Sequence, residues 1–106
     1  MKKNTIHDGI VGVVEKELKR RGFNFIRKFE EYSSRGCCGE IDIYAMKDDY
    51  ILNFEIKCSD CKKSYAKALR QLTRSSSNYF SRKYRVFNFY VCKTDEDDIV
   101  YKWIKK

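Results

Sequence analysis

A chain of 106 residues is short for two separate cores, so a single domain over residues 1–106 is expected. With 42% hydrophobic and 15% aromatic residues it holds too much apolar material for a disordered chain. The 23 Lys and Arg against 15 Asp and Glu give a formal net charge of +8, which disfavours cationic partners and favours a polyanion through counterion release from phosphates.

Near the N-terminus the longest apolar run, Ile10 to Val14, is interrupted by Gly12 and is too short for a signal peptide or a membrane span. An intracellular protein with no membrane partner is expected, in the cytoplasm, or in a host cytoplasm for a viral source. From Thr5 to Arg21 the residues Ile6, Ile10, Val13, Val14 and Leu18 recur at helical spacing. Lys19, Arg20 and Arg21 suit the last turn, and Gly22 supplies the stop.

Phe23, Phe25, Arg27 and Phe29 then alternate with Asn24, Ile26, Lys28 and Glu30, a strand running to Tyr32. Ser33, Ser34, Arg35 and Gly36 read as a polar loop. Two further strands, Glu40 to Met46 and Tyr50 to Lys57, are joined by the turn Lys47, Asp48 and Asp49 into an antiparallel hairpin. Ser59 or Asp60 caps a second helix, whose stripe Tyr65, Ala66, Ala68, Leu69 and Leu72 weakens at Ser75, Ser76 and Ser77. Strands follow from Tyr84 to Lys93 and from Ile99 to Ile104 across an acidic turn. The order is α, three β, α, two β.

The chemistry concentrates on the central hairpin. Side chains two apart share a face of a strand, so Glu55 and Lys57 project together while Phe54 and Ile56 enter the opposite layer. With Asp42 on the paired strand facing the same way, two carboxylates converge within reach of one hard cation, Mg²⁺ or a substituting Mn²⁺. Such a site suits phosphodiester hydrolysis. The metal polarises the phosphoryl oxygen and activates water, and the Lys57 ammonium offsets charge gathering in the transition state. A Glu-x-Lys triplet alone means no more than a surface ion pair. An apolar strand, an acidic hairpin partner and a basic helix give this one its weight.

The spacing of Asp42 and Glu55-Ile56-Lys57 resembles the PD-(D/E)xK nucleases of the restriction-endonuclease fold, above all the archaeal Holliday junction resolvases. The resemblance runs from the first helix to the fourth strand. It implies an α/β fold with a restriction-endonuclease-like αβββαβ core, a central mixed sheet flanked by helices, and Mg²⁺ dependence. It also implies DNA, branched or structured, as substrate and a homodimer as the working form. Asp42, Glu55 and Lys57 would be catalytic, Asp42 and Glu55 with the main chain of Ile56 would hold metal, and the family's loop serine would fall on Ser33 or Ser34. Gln71 would match a glutamine on the following helix. One departure stands out: where such enzymes place a glutamate on the first helix this chain has Val11, and the nearest carboxylate is Glu15, one turn later.

Arg35, Lys62, Lys63, Lys67, Arg70 and Arg74, with Gln71 among them, are expected to meet DNA phosphates, the bland alternative being a solvated face. The strand phenylalanines are better read as core than as base-stacking platforms. Glu40 shares the parity of Asp42, as an extra ligand or a solvated strand end. His7 lies near the site, positioning a phosphate or simply structural. Among the 5 cysteines, Cys37, Cys38, Cys58 and Cys61 bracket the hairpin as metal ligands, a disulfide or buried thiols. A DNA-binding protein without catalysis, or a protein-interaction module with an incidental basic surface, are the rival expectations to a nuclease.

Overall fold

The structure, a computed structural model, describes residues 5–34, 37–58, 62–80, 83–94 and 96–104, with the main chain alone for Ser34, Cys37 and Lys62. Its elements are α1 (Thr5–Arg20), β1 (Phe25–Ser34), β2 (Cys37–Lys47), β3 (Tyr50–Lys57), α2 (Lys62–Asn78), β4 (Arg85–Lys93) and β5 (Ile99–Ile104). The five strands form one sheet in the order β1-β2-β3-β4-β5. Neighbours are antiparallel except β3 and β4, which run parallel. Parallel neighbours need a crossover, and α2 provides it.

Each helix covers one face. Ile10, Val11, Val14 and Leu18 of α1 pack on Ile43, Ala45, Phe54, Ile56 and Val91. Ala68 of α2 packs on Tyr90 and Cys92 on the other side. Beyond the end of α2, Phe80 joins Ile41, Tyr44 and Ile51 in a further apolar cluster on that side. Helix α1 stops in a Schellman motif: Gly22 has φ 88°, its N–H donates to Lys19 O at 3.1 Å, and Phe23 N–H donates to Leu18 O at 3.0 Å. Leu18 and Phe23 then meet in the core, which fixes the angle at which β1 leaves the helix. No helix among the described residues is long and apolar enough to cross a membrane.

Two polar stretches are more regular than their composition implies. The β1–β2 ladder continues to Ser34↔Cys37, through residues expected to form a loop. Tyr32 accounts for part of this: its ring lies over Gly39, where a Cβ would fall 2.5 Å from the Tyr32 hydroxyl, and tilts against Tyr79. A glycine beneath an aromatic ring keeps the ladder covered where side chains are polar. Likewise α2 runs straight through Ser75, Ser76 and Ser77 to Asn78. Ser75 Oγ donates to Leu72 O and accepts from Asn53 Nδ2 at 2.9 Å, while Ser76 Oγ donates to Asn88 Oδ1 at 3.1 Å. Asn53 and Asn88 are themselves buried and bonded at 3.1 Å. Serines that would loosen an isolated helix here pin it to β3 and β4.

The sheet also carries a change of face. In the first half of β1, Ile26 packs with the α1 core and Lys28 reaches Glu15 on α1, whereas further on Tyr32 packs on the α2 side. In β2, Ile43 and Ala45 belong to the α1 core, whereas Ile41 joins Phe80 on the α2 side. Both strands switch at Phe29 and Asp42, which lie between the pairs Lys28↔Ile43 and Glu30↔Ile41. Phe29 takes φ 55°, a left-handed conformation costly for a bulky residue and the local mark of the switch.

Asn53→Ala removes the amide that donates to Ser75 on α2 and to Asn88 on β4 and should cost about 2 kcal/mol in urea unfolding. A loss under about 0.5 kcal/mol would show that the network adds nothing to stability.

Candidate metal and catalytic site

The site lies where β2 and β3 part. Their pairing runs from Lys47↔Tyr50 to Ile43↔Phe54 and goes no further. Two residues beyond Phe54, Ile56 N–H donates at 2.8 Å to Oδ2 of Asp42, a side chain taking over from a strand partner. Asp42 is thereby held at the mouth of the opened ladder, 7% exposed. Glu55 and Lys57 share the α2 side with Asn53, as alternation requires. Lys57 Nζ lies 3.3 Å from Glu55 Oε2 and donates at 3.1 Å to Gln71 Oε1 on α2. From α1, His7 Nε2 comes within 3.3 Å of Asp42 Oδ2 while its Nδ1 lies 3.5 Å from Asp8 Oδ1.

These groups surround an open cavity of 380 Å³ bordered by His7, Glu40, Asp42, Glu55, Lys57 and Gln71, with Ile56 and Cys58 completing the wall. A roomier depression of 590 Å³ along the outer half of the β1–β2 hairpin gathers no such opposed charges among the described residues, of which it shares only Glu40 with the smaller cavity. The chemistry therefore belongs to the smaller cavity.

Electrostatics make the cavity short of positive charge. Burial, reinforced by the charge of Asp42, pushes the Glu55 carboxyl up to about 8, against the pull of Lys57. Burial and then Asp42 and Glu31 also raise Glu40. The hydrogen bond to Asp42 holds His7 up at about 9 against its partial burial, with smaller help from Asp8. Three carboxyl groups thus face the His7 imidazolium and the Lys57 ammonium, a balance that a bound cation would restore. Among the described residues no three His, Cys, Asp or Glu side chains form a ready metal cage. Two carboxylates and a main-chain carbonyl are a poor zinc site, but they suit a magnesium ion that keeps much of its water.

Of the residues expected in the site, Asp42, Glu55, Ile56, Lys57 and Gln71 line one cavity. Glu15 does not join them. It pairs with Lys28 at 3.1 Å and Lys19 at 3.6 Å, and Lys28 holds its carboxyl below the usual range. Val11, at the position where a helix-one acid was expected, is 1% exposed within the core. The helix instead delivers His7, one turn before Val11 on the same face. Sequence offered a signal for this in the spacing of His7, Val11, Val14 and Leu18, but gave no reason to prefer an imidazole to a carboxylate. Ser34 pairs through its main chain with Cys37, and its side chain lies outside the described residues, as do that of Lys62 and all of Arg35.

Lys63, Lys67, Arg70 and Arg74 are exposed and recur along one stripe of α2, opposite Ala68, Leu72 and Ser75. Arg70 and Arg74 border a shallow 490 Å³ groove. Gln71 lies between the stripe and the buried face, so one helix presents the cations outward and braces Lys57 inward. Cys38, Cys58 and Cys92 are thiols, and Cys61 lies outside the described residues.

No family model matches the chain, and no curated protein matches it. A solved structure does: the crystal structure of a protein of unknown function, AF1548, aligns with 17% identity and a TM-score of 0.58, over 89% of this chain and 50% of that one. What the two share is an α/β fold. The present chain spans half the length of that neighbour.

Folding raises the Glu55 carboxyl from 4.5 to about 8, so the folded state keeps a proton that the unfolded chain releases. Without divalent ions, this group makes stability fall as pH rises from 4.5 towards 8. Glu55→Gln should abolish that component of the slope and raise the melting temperature near neutral pH by about 4 °C or more. Urea unfolding across this pH range reads the slope and thermal unfolding near neutral pH reads the melting temperature, and an unaltered slope would contradict the assignment.

Proposed function

We propose that the chain is a Mg²⁺-dependent endonuclease of the PD-(D/E)xK type, with the restriction-endonuclease-like αβββαβ core, hydrolysing phosphodiester bonds in branched or structured DNA such as four-way junctions. The observation that carries this is the convergence of Asp42, Glu55 and Lys57 on one cavity at the point where β2 and β3 separate. Asp42 and Glu55, with the Ile56 carbonyl, would hold the ion. Bound there, Mg²⁺ supplies Lewis acidity to the phosphoryl oxygen and lowers the pKa of a coordinated water.

The protein's own groups carry the rest. Lys57, braced by Glu55 and Gln71, is held to a narrow arc and orients the attacking water or meets the negative charge that accumulates on the phosphorus oxygens. Lys63, Lys67, Arg70 and Arg74 hold the backbone on either side of the scissile bond. A second copy fits a substrate with two scissile strands, and it would cover Val13, Tyr101 and Trp103, exposed at 46%, 41% and 55% on the α1 side.

A second reading is favoured by Val11 and Glu15: with no acid from α1 in the cavity, the fold would bind DNA without cutting it. The two separate on a panel of four-way junction, flap, duplex and single-stranded DNA, with EDTA as control. Asp42→Asn and Glu55→Gln should bring Mg²⁺-dependent cleavage to the EDTA level, and Lys57→Met should lower it roughly a hundredfold or more while DNA retention persists. Arg70→Ala and Arg74→Ala should each weaken binding uniformly and reduce the salt slope by about 1. Wild-type protein that retains junction DNA and leaves it intact in both Mg²⁺ and Mn²⁺ would establish the second reading.

A further inference from the structure

Of the described residues lining the cavity, His7 is the only one contributed by α1. Its place follows from the core. Val11, Val14 and Leu18 are buried against the sheet, and His7 extends the same stripe one turn beyond them, over the gap between β2 and β3. There its Nε2 and the Ile56 N–H approach the same atom, Asp42 Oδ2, at 3.3 and 2.8 Å. Asp8 faces the other ring nitrogen at 3.5 Å and sets the imidazole's orientation. With Oδ2 engaged twice, from two elements, a cation shared with Glu55 would fall to Oδ1, in place of the proton through which Glu55 hydrogen-bonds Asp42.

We propose that His7 is a positioning residue for the cation site, clamping Asp42 Oδ2 from α1 so that Oδ1 and Glu55 face one shared divalent ion. The inference rests on Asp42 and Glu55 being cation ligands, as proposed above. It gives α1 a part in the site that neither Val11 nor Glu15 performs. Ligating carboxylates depend on such outer hydrogen bonds for their orientation. An imidazolium near the ion also repels it, so donor and charge must be separated by substitution. His7→Gln keeps an N–H near the position of Nε2 without the charge, His7→Leu keeps the bulk alone, and His7→Ala keeps neither.

Calorimetric titration with Mn²⁺ alone reads affinity, and amide hydrogen exchange at Ile56 in metal-free protein reads the clamp directly. His7→Gln should bind Mn²⁺ at least as tightly as wild type, with Ile56 equally protected. His7→Ala and His7→Leu should bind roughly tenfold more weakly, with faster exchange at Ile56. Rescue by Leu would reduce His7 to packing, and tighter binding by Ala, Leu and Gln alike would reduce it to its charge; either result overturns the proposal. Wild-type protein with no affinity for Mn²⁺ would remove the cation reading of Asp42 and Glu55 and the proposal with it. Wild-type binding that persists unchanged in Ala and Leu would remove the role of His7 alone.

Discussion

The main-chain N–H of Ile56 is buried between two strands that no longer pair, and leaving such a donor unsatisfied costs about 1–3 kcal/mol. Asp42 Oδ2 satisfies it, and that single bond sets the geometry of the site. The carboxylate is drawn off the solvent face and held beside Glu55. Burial and the charge of Asp42 then keep a proton on Glu55 unless a cation replaces it. Lys57 turns to Glu55 and Gln71, and His7 turns to Asp42. The switch of face at Phe29 and Asp42 is the backbone's part in the arrangement, since it lets β2 leave β3 while staying paired to β1.

An opened ladder surrounded by ionisable groups weakens a small sheet, and the surroundings offset it. On one side the α1 stripe closes over Ile43, Phe54 and Ile56. On the other, Asn53, Asn88, Ser75 and Ser76 tie α2 to the central strands with buried hydrogen bonds. Among the described residues no buried side-chain nitrogen or oxygen lacks a partner. Apart from the left-handed backbone at Phe29, the strain is one of charge: three carboxyl groups crowd a cavity with two cationic side chains, and Glu55 keeps its proton. Instability of that kind is relieved by binding, and it is common where function requires it.

The order of the elements was legible because each rests on local periodicity, while the facing ends of β1 and β2 run past their expected limits, to Ser34 and from Cys37. Ile10, Val14 and Leu18 repeat at helical spacing, and Glu55 and Lys57 share a face by simple alternation. The pairing of β2 with β3 could be read from the short turn between them, and with it the approach of Asp42 to Glu55. Other features depend on partners distant in sequence. Ser75 and Ser76 look like helix breakers until Asn53 and Asn88 receive them, and the polar end of β1 looks like a loop until Tyr32 covers Gly39. Phe29 carries no sign of its left-handed φ, which arises from the divergence of two strands. Glu15 was a reasonable substitute for a missing helix acid, but Lys28, brought near by the fold, claims it, and His7 takes the position over the cavity.

Crystals grown or soaked with Mn²⁺ and measured at its absorption edge offer the most direct test of the central claim, that parting β2 from β3 creates a divalent-cation site. An anomalous peak in the cavity beside Asp42 and Glu55 is the expected result, and it should vanish in Asp42→Asn. A cavity without a peak at millimolar Mn²⁺, or a peak confined to other carboxylates, would contradict it.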